Sequence, residues 1–155
     1  MTVTRIDPDS NTAKATHQGR LALRTVGDLW LGWNAMGLVS VGWAEGDEPP
    51  HEGAKTVKRI PAVYGRALRD YDRGKAVDPA ELPVDLRQGT AFQQKVWAAL
   101  RTIPRGKVRT YASVAKLIEN PRAFRAIGMA NGANPLTIVV PCHRVVAAGM
   151  QLGGY

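Results

Sequence analysis

The apolar pattern changes period partway along this 155-residue chain, and that change limits the folds open to it. Between Arg20 and Trp43, short apolar stretches (LALRTV, GDLWLGW, NAMGLVSVGW) are broken by Gly and Asn. Stretches of this kind, bounded by turn residues, read as strands, and Asn34-Ala35-Met36-Gly37 reads as a turn in a meander. Trp30, Trp33 and Trp43 are expected in its core rather than on a base-stacking surface. An acidic, Pro-containing loop follows at 44–54 (AEGDEPPHEGA). Beyond it the spacing becomes three and four. Val57, Ile60, Val63, Tyr64, Ala67, Leu68 and Tyr71 fall on one face of a helix that Asp72-Arg73-Gly74-Lys75 ends. Residues 76–88 (AVDPAELPVDLRQ) read as connecting chain. The division that results is an N-terminal α/β lobe over 1–80, with 1–18 weakly ordered, a linker over 81–88 and a second lobe over 89–155.

The second lobe reads as mainly helical. Thr90 is placed to cap a helix over about 91–102, with Phe92, Val96, Trp97 and Leu100 on its buried side. Ile103 to Lys107 is a turn. Tyr111 to Ile118 is a short helix with Val114, Ala115 and Ile118 inward. Glu119-Asn120-Pro121 breaks it, and another helix runs from about Arg122 to Gly132. Two short helices joined by a tight turn resemble a helix-turn-helix. The fold class expected is therefore α/β (α+β): a small strand-meander lobe with a helix, plus a mainly helical lobe carrying the helix-turn-helix and a cysteine loop. The second helix of the pair holds Ala126 and Ala130 four apart, with Gly128, a poor helix former, between them. Small side chains there fit close packing on a neighbouring element, or close approach to a narrow nucleic-acid groove.

Charge is divided as unevenly as period. The net charge is +8; residues 1–86 carry 11 Lys/Arg against 12 Asp/Glu, and residues 87–155 carry 10 against Glu119 alone. A near-neutral first half joined to a strongly basic second half points to a polyanion partner, nucleic acid first. The plainer reading is a basic protein with no such role. No apolar run approaches the ~20 residues of a membrane span, and the polar N-terminus lacks a signal-peptide centre. A single cysteine forms no internal disulfide, which fits a reducing cytoplasm. The three histidines, His17, His51 and His143, are scattered, so no metal site is expected. Neither a Walker-type loop nor G-x-G-x-x-G is present.

The single cysteine lies in Ile138–Val146, IVVPCHRVV. A thiol becomes nucleophilic on losing its proton, and its ordinary pKa is roughly 8.5. His143 offers a base and Arg144 a positive charge. In an extended strand these neighbours would face opposite ways, so contact requires a turn, for which Pro141 is suited. Cys142 then reads either as a small core residue or as a nucleophile. A Cys-His protease would need a third orienting group and an oxyanion hole, and the sequence points to neither.

Several segments together resemble one family. PCHRV at Pro141–Val145, NGANP at Asn131–Pro135, RAIG at Arg125–Gly128 and GTAFQQKVWAALRTIPRGKVRTYASVAKLI at Gly89–Ile118 are similar to the methylated-DNA–protein-cysteine methyltransferases, the O6-alkylguanine-DNA alkyltransferases. The resemblance runs without gaps from Gly89 to Tyr155; before that it is one of outline. It implies direct damage reversal in double-stranded DNA. An alkyl group on guanine O6, and on thymine O4, would pass irreversibly to Cys142, once per chain and without a cofactor. His143 would take the thiol proton through a water. Tyr111 would hydrogen-bond the flipped guanine and supply a proton as the base leaves. Arg125 would fill the gap in the stack, with Ala126 and Ala130 in the minor groove. Asn134 would tie the helix end to the Cys loop, the Val145 backbone would read the guanine edge, and Gly153, Gly154 and Tyr155 would form the pocket lip.

The family's pattern continues past this tyrosine to a helix whose glutamate orients the histidine. The sequence stops at Tyr155, and two expectations stay open: that it is a cleaved or incompletely represented product, or that the protein lacks the relay's last member. The alternative the resemblance leaves is a lesion-binding helix-turn-helix protein, or an inactive fragment, that transfers poorly. Alkyltransferase-like proteins lack the cysteine that is present here. The zinc site that some relatives carry in the N-terminal lobe has no cysteine to form it. The partner implied is lesion-bearing DNA, not membrane. The chain is expected to act as a monomer in the cytoplasm, at the nucleoid, or in the nucleus of a eukaryote.

Overall fold

Three strands, β1 (His17–Leu21), β2 (Leu29–Asn34) and β3 (Gly37–Trp43), form the expected meander in the computed structural model, which describes residues 13–150. β1 and β3 both pair antiparallel with β2. A short β4 (Lys55–Thr56) runs parallel to β1, so the sheet order is β3-β2-β1-β4. Ala35 and Met36 make the β2–β3 hairpin loop. Part of the stretch read as weakly ordered is built in: Ala13 is buried and β1 begins at His17. The remainder of that stretch, residues 1–12, lies outside the described residues.

Trp30 and Trp33 are buried, but Trp43 is not. It is 52% exposed at the end of β3, and its indole Nε1 donates to the Val26 carbonyl at 3.0 Å. Period-2 patterning does not mark where a strand leaves its neighbours, and Trp43 is that last residue. The first helix is also shorter than its spacing implied. α1 spans Ala62–Asp72, behind Pro61. Proline pushes the residue before it out of the helical region, so Ile60 and Val57 stay outside α1. Both still pack against the core, whereas Val63 is 53% exposed.

Residues 76–88 are not a solvated linker. Pro79–Glu81 is a 3₁₀ turn capped by the Asp78 side chain, and Ala80, Leu82 and Asp85 are buried. Leu38 N–H donates to the Pro83 carbonyl at 3.0 Å, and Asp85 N–H to the Leu38 carbonyl at 2.8 Å, so this segment lies along β3. Gly37 makes that approach possible: its φ is +146°, and a Cβ there would meet Pro83 and Val84 backbone atoms at 2.6 Å. The Arg87 guanidinium on the Asp85 carboxylate, with the Asn34 amide, brings the Asp85 pKa down to about 2.

The second half holds α2 (Ala91–Arg101), α3 (Tyr111–Leu117) and α4 (Phe124–Gly132). Thr90 and Gln93 close a capping box at the start of α2, which satisfies two otherwise unpaired backbone donors. Val96, Trp97 and Leu100 point inward, as do Val114, Ala115 and Ile118 around α3. Two two-residue strands, β5 (Arg109–Thr110) and β6 (Val145–Val146), pair in parallel. Residues 135–137 run along β3: Val41 N–H donates to the Pro135 carbonyl and Thr137 N–H to the Val41 carbonyl. One hydrophobic cluster therefore joins the sheet (Leu31, Val41), α1 (Leu68) and the helical half (Trp97, Ile127, Val139). Among the described residues, no helix is long and apolar enough to cross a membrane.

Candidate active site at Cys142

The chain before the cysteine is anchored on both sides. β3 holds residues 135–137, and the Val139 and Val140 side chains are fully buried. Pro141 then turns the backbone, with φ −80° and ψ 65°. Cys142–Arg144 form a single 3₁₀ turn, closed by Arg144 N–H on the Pro141 carbonyl at 3.0 Å, and β6 follows. The sole thiol thus sits on a turn at the mouth of the core, half-buried, rather than within a strand.

Asn134 fixes that turn. Its Oδ1 accepts Leu136 N–H at 2.9 Å, which orients the amide. Its Nδ2 donates to the Val140 carbonyl at 2.9 Å and to Cys142 Sγ at 3.4 Å. The amide thus holds both the backbone before the cysteine and the sulfur itself. His143 follows directly and is solvent-exposed. Protein packed on its inner side, and then the Arg144 charge, lower its pKa below the ordinary imidazole value, while Asp78 opposes this in part. The ring is therefore neutral at pH 7 and able to accept a proton.

Arg144 does not lend its charge to the thiol as the sequence implied. It is 4% exposed and turned inward. Its Nη1 and Nη2 donate to the two Asp78 carboxylate oxygens at 2.8 and 2.9 Å, and Nη1 also donates to the Ile103 carbonyl at 2.7 Å. Desolvation pushes the Asp78 pKa up. The Arg144 guanidinium and the backbone N–H groups of Ala80 and Arg105 outweigh it, so the pKa lies below the ordinary carboxylate value. Asp78 was absent from the sequence-derived set. An Asp before Pro79 signals a cap, but nothing local signals a partner 66 residues away.

Tyr111 opens α3, half-buried, just after β5, and the β5–β6 pairing brings that helix start beside the strand leaving the cysteine turn. A Cβ on Gly128 would lie 4.0 Å from Tyr111 Cε1, so α4 passes the tyrosine ring at its glycine. Arg125 is exposed on α4 and Ala126 is half-buried. Ala130 departs from its expected place: it is 2% exposed, and its carbonyl accepts the Trp97 indole N–H at 2.8 Å. Ala126 and Ala130 are only about 40° apart on the helix, and across that step the face goes from half-buried to buried. Elsewhere on α4, Phe124 is 49% and Met129 77% exposed. Val145 is buried, and its N–H donates to the Cys142 carbonyl. Gly153, Gly154 and Tyr155 lie outside the described residues. Among the described residues, no group of three or more His, Cys, Asp or Glu is placed to hold a metal.

Asn131 is 5% exposed on α4, and neither of its side-chain polar atoms has a hydrogen-bond partner among the described residues.

Residues 91–155 match the family model described as "6-O-methylguanine DNA methyltransferase, DNA binding domain". A methylated-DNA–protein-cysteine methyltransferase of Mycolicibacterium paratuberculosis is 43% identical over 114 residues, 74% of this chain and 61% of that protein. One from Methanosarcina barkeri is 37% identical over 132 residues, 84% of this chain and 82% of that protein. Against the first of these relatives the chain thus spans less than two thirds of the length. The crystal structure of Mycobacterium tuberculosis OGT in complex with DNA superimposes with a TM-score of 0.79 at 37% identity, covering 90% of this chain and 84% of that one.

Proposed function

The chain belongs to the methylated-DNA–protein-cysteine methyltransferase family, and on that premise we propose that it repairs DNA by taking the alkyl group from guanine O6 onto Cys142. The observation that carries this is the Asn134 amide held on Cys142 Sγ at 3.4 Å, beside a neutral His143. Together they supply a donor that positions the sulfur and a base that takes its proton.

In the reaction proposed, His143 removes the thiol proton through a water molecule. The sulfur attacks the alkyl carbon in line with the C–O6 bond. A C–S bond forms as that C–O bond breaks, and its electron pair passes into the guanine. Tyr111 donates a proton to the departing base, which leaves as guanine. The product on the protein is a thioether, and one cysteine therefore serves one lesion. Thymine O4 presents the same leaving-group chemistry and is a second substrate.

The target base lies in the duplex stack and must be rotated out before sulfur can reach it. α4 faces the minor groove in this reading. Arg125 enters the stack where the base has left, and the neighbouring cations hold phosphates. The stretch 89–155 carries both the reacting group and the DNA contacts. Ala126, half-buried, sits at the edge of the groove-facing side of α4, and Ala130, about 40° further round, packs into the core.

A titration tests the reading. Increasing amounts of protein are added to a duplex with one O6-methylguanine, and the nucleosides are then analysed. O6-Methyldeoxyguanosine is expected to fall in proportion to protein, with deoxyguanosine rising equally, up to one lesion per chain. Loss of more than one lesion per chain, or no loss despite DNA binding, contradicts stoichiometric transfer.

A further inference from the structure

We propose that Met129 is a DNA-contacting specificity residue whose side chain enters the minor groove one helical turn beyond Arg125 and wedges the base steps next to the flipped nucleotide. This rests on the transfer reading above and deepens it.

Met129 has the highest exposure, 77%, of any large hydrophobic side chain among the described residues. Four residues along an α-helix amount to a rotation of about 40° and an advance of ~6 Å. Arg125 and Met129 therefore project from one face of α4, and the opposite face is buried through Ile127, Ala130 and Asn131. Arg122 and Arg125 add exposed charge at the start of the helix. Phe124 lies about 140° round from Met129 and cannot share its contact.

Charge and shape together favour DNA as the occupant. A protein partner for an apolar patch would be met by a wider apolar surface, whereas here a single unbranched thioether shares its helix face with the Arg125 guanidinium. Apolar side chains such as Met partially unstack base steps when they enter the minor groove, and Met adapts its shape to what it meets. The ~6 Å advance from Arg125 is close to two base steps at about 3.4 Å each. Met129 would thus hold the duplex open at the edge of the gap that Arg125 fills, so that the rotated base is slower to return. Steps that unstack easily, such as TA, need this wedge least.

The test compares unaltered protein, Met129→Ala and Met129→Leu in single-turnover transfer, each on a duplex with one O6-methylguanine and on the free base O6-methylguanine. In Met129→Ala the ratio of duplex rate to free-base rate is expected to fall about tenfold. Met129→Leu restores the ratio to within about twofold, since an apolar wedge of similar size remains. The loss is smaller when TA steps flank the lesion than when GC steps do. An unchanged ratio in Met129→Ala, or the same loss in Met129→Leu, overturns the wedge while leaving the transfer reading intact. Absence of transfer by the unaltered protein from both substrates overturns the transfer reading and the wedge with it.

Discussion

Cys142→Ser is expected to abolish repair while leaving the fold and DNA binding in place. Serine is close in size to cysteine and occupies the same half-buried turn, so the stability change should stay within about 1 kcal/mol. The Asn134 amide still finds an acceptor. A serine hydroxyl, however, does not ionise at neutral pH, and the neutral His143 is too weak a base to make it a comparable nucleophile. Transfer should fall by on the order of 10⁴-fold or more, as when the nucleophile is removed from other catalytic sets. Nucleoside analysis should show O6-methyldeoxyguanosine unchanged after long incubation, while gel-shift binding to the same duplex persists. A serine variant that still restored guanine would place the acceptor elsewhere and refute the assignment.

The second large effect concerns the support beneath the cysteine turn. Asp78 accepts four hydrogen bonds: two from Arg144, and one each from Ala80 and Arg105 N–H. Asp78→Ala leaves the Arg144 guanidinium buried at 4% exposure without a carboxylate, with the Ile103 carbonyl and the neutral Tyr71 hydroxyl left to receive it. Stranding one member of a buried ion pair costs about 3–5 kcal/mol. In a chain of this size the melting temperature should drop by roughly 10 °C. Asp78→Ala combined with Arg144→Met should recover part of the loss, because the uncompensated charge is then gone. The pH dependence has a defined sign. The folded-state pKa of Asp78 is lowered, so its stabilisation is full above the ordinary carboxylate pKa and is lost as pH falls through the folded value. Thermal unfolding at pH 7 and under acid conditions reads both effects. An Asp78→Ala variant that melts with the unaltered protein would show that the pair contributes nothing to the turn.

These two residues also mark how far the sequence could be read. Elements with strong local periodicity were legible: the meander around Ala35-Met36, the Thr90 cap and the inward faces of α2 and α3. Cys142, His143 and Asn134 were legible through segments close to one another in the chain. What escaped depends on distant pairing. Asp78 meets Arg144 across 66 positions. Residues 76–88 looked like linker because Pro, Asp and Leu mark a turn equally well whether or not β3 lies alongside. Ala130 shows a different limit. Small residues four apart mark a face of α4 without saying which way that face turns, and the Trp97 contact decides it. Trp43 shows another, since an aromatic at the end of a strand carries no sign that its neighbours have stopped.

The measurement that bears most directly on the central claim is peptide mass spectrometry after incubation with a duplex containing O6-methylguanine. The account predicts a gain of one methylene mass on the peptide bearing Cys142, located on the sulfur by fragmentation and saturating at one per chain. An unmodified Cys142 in a protein that has bound the duplex, or the methyl group on another residue, would contradict it.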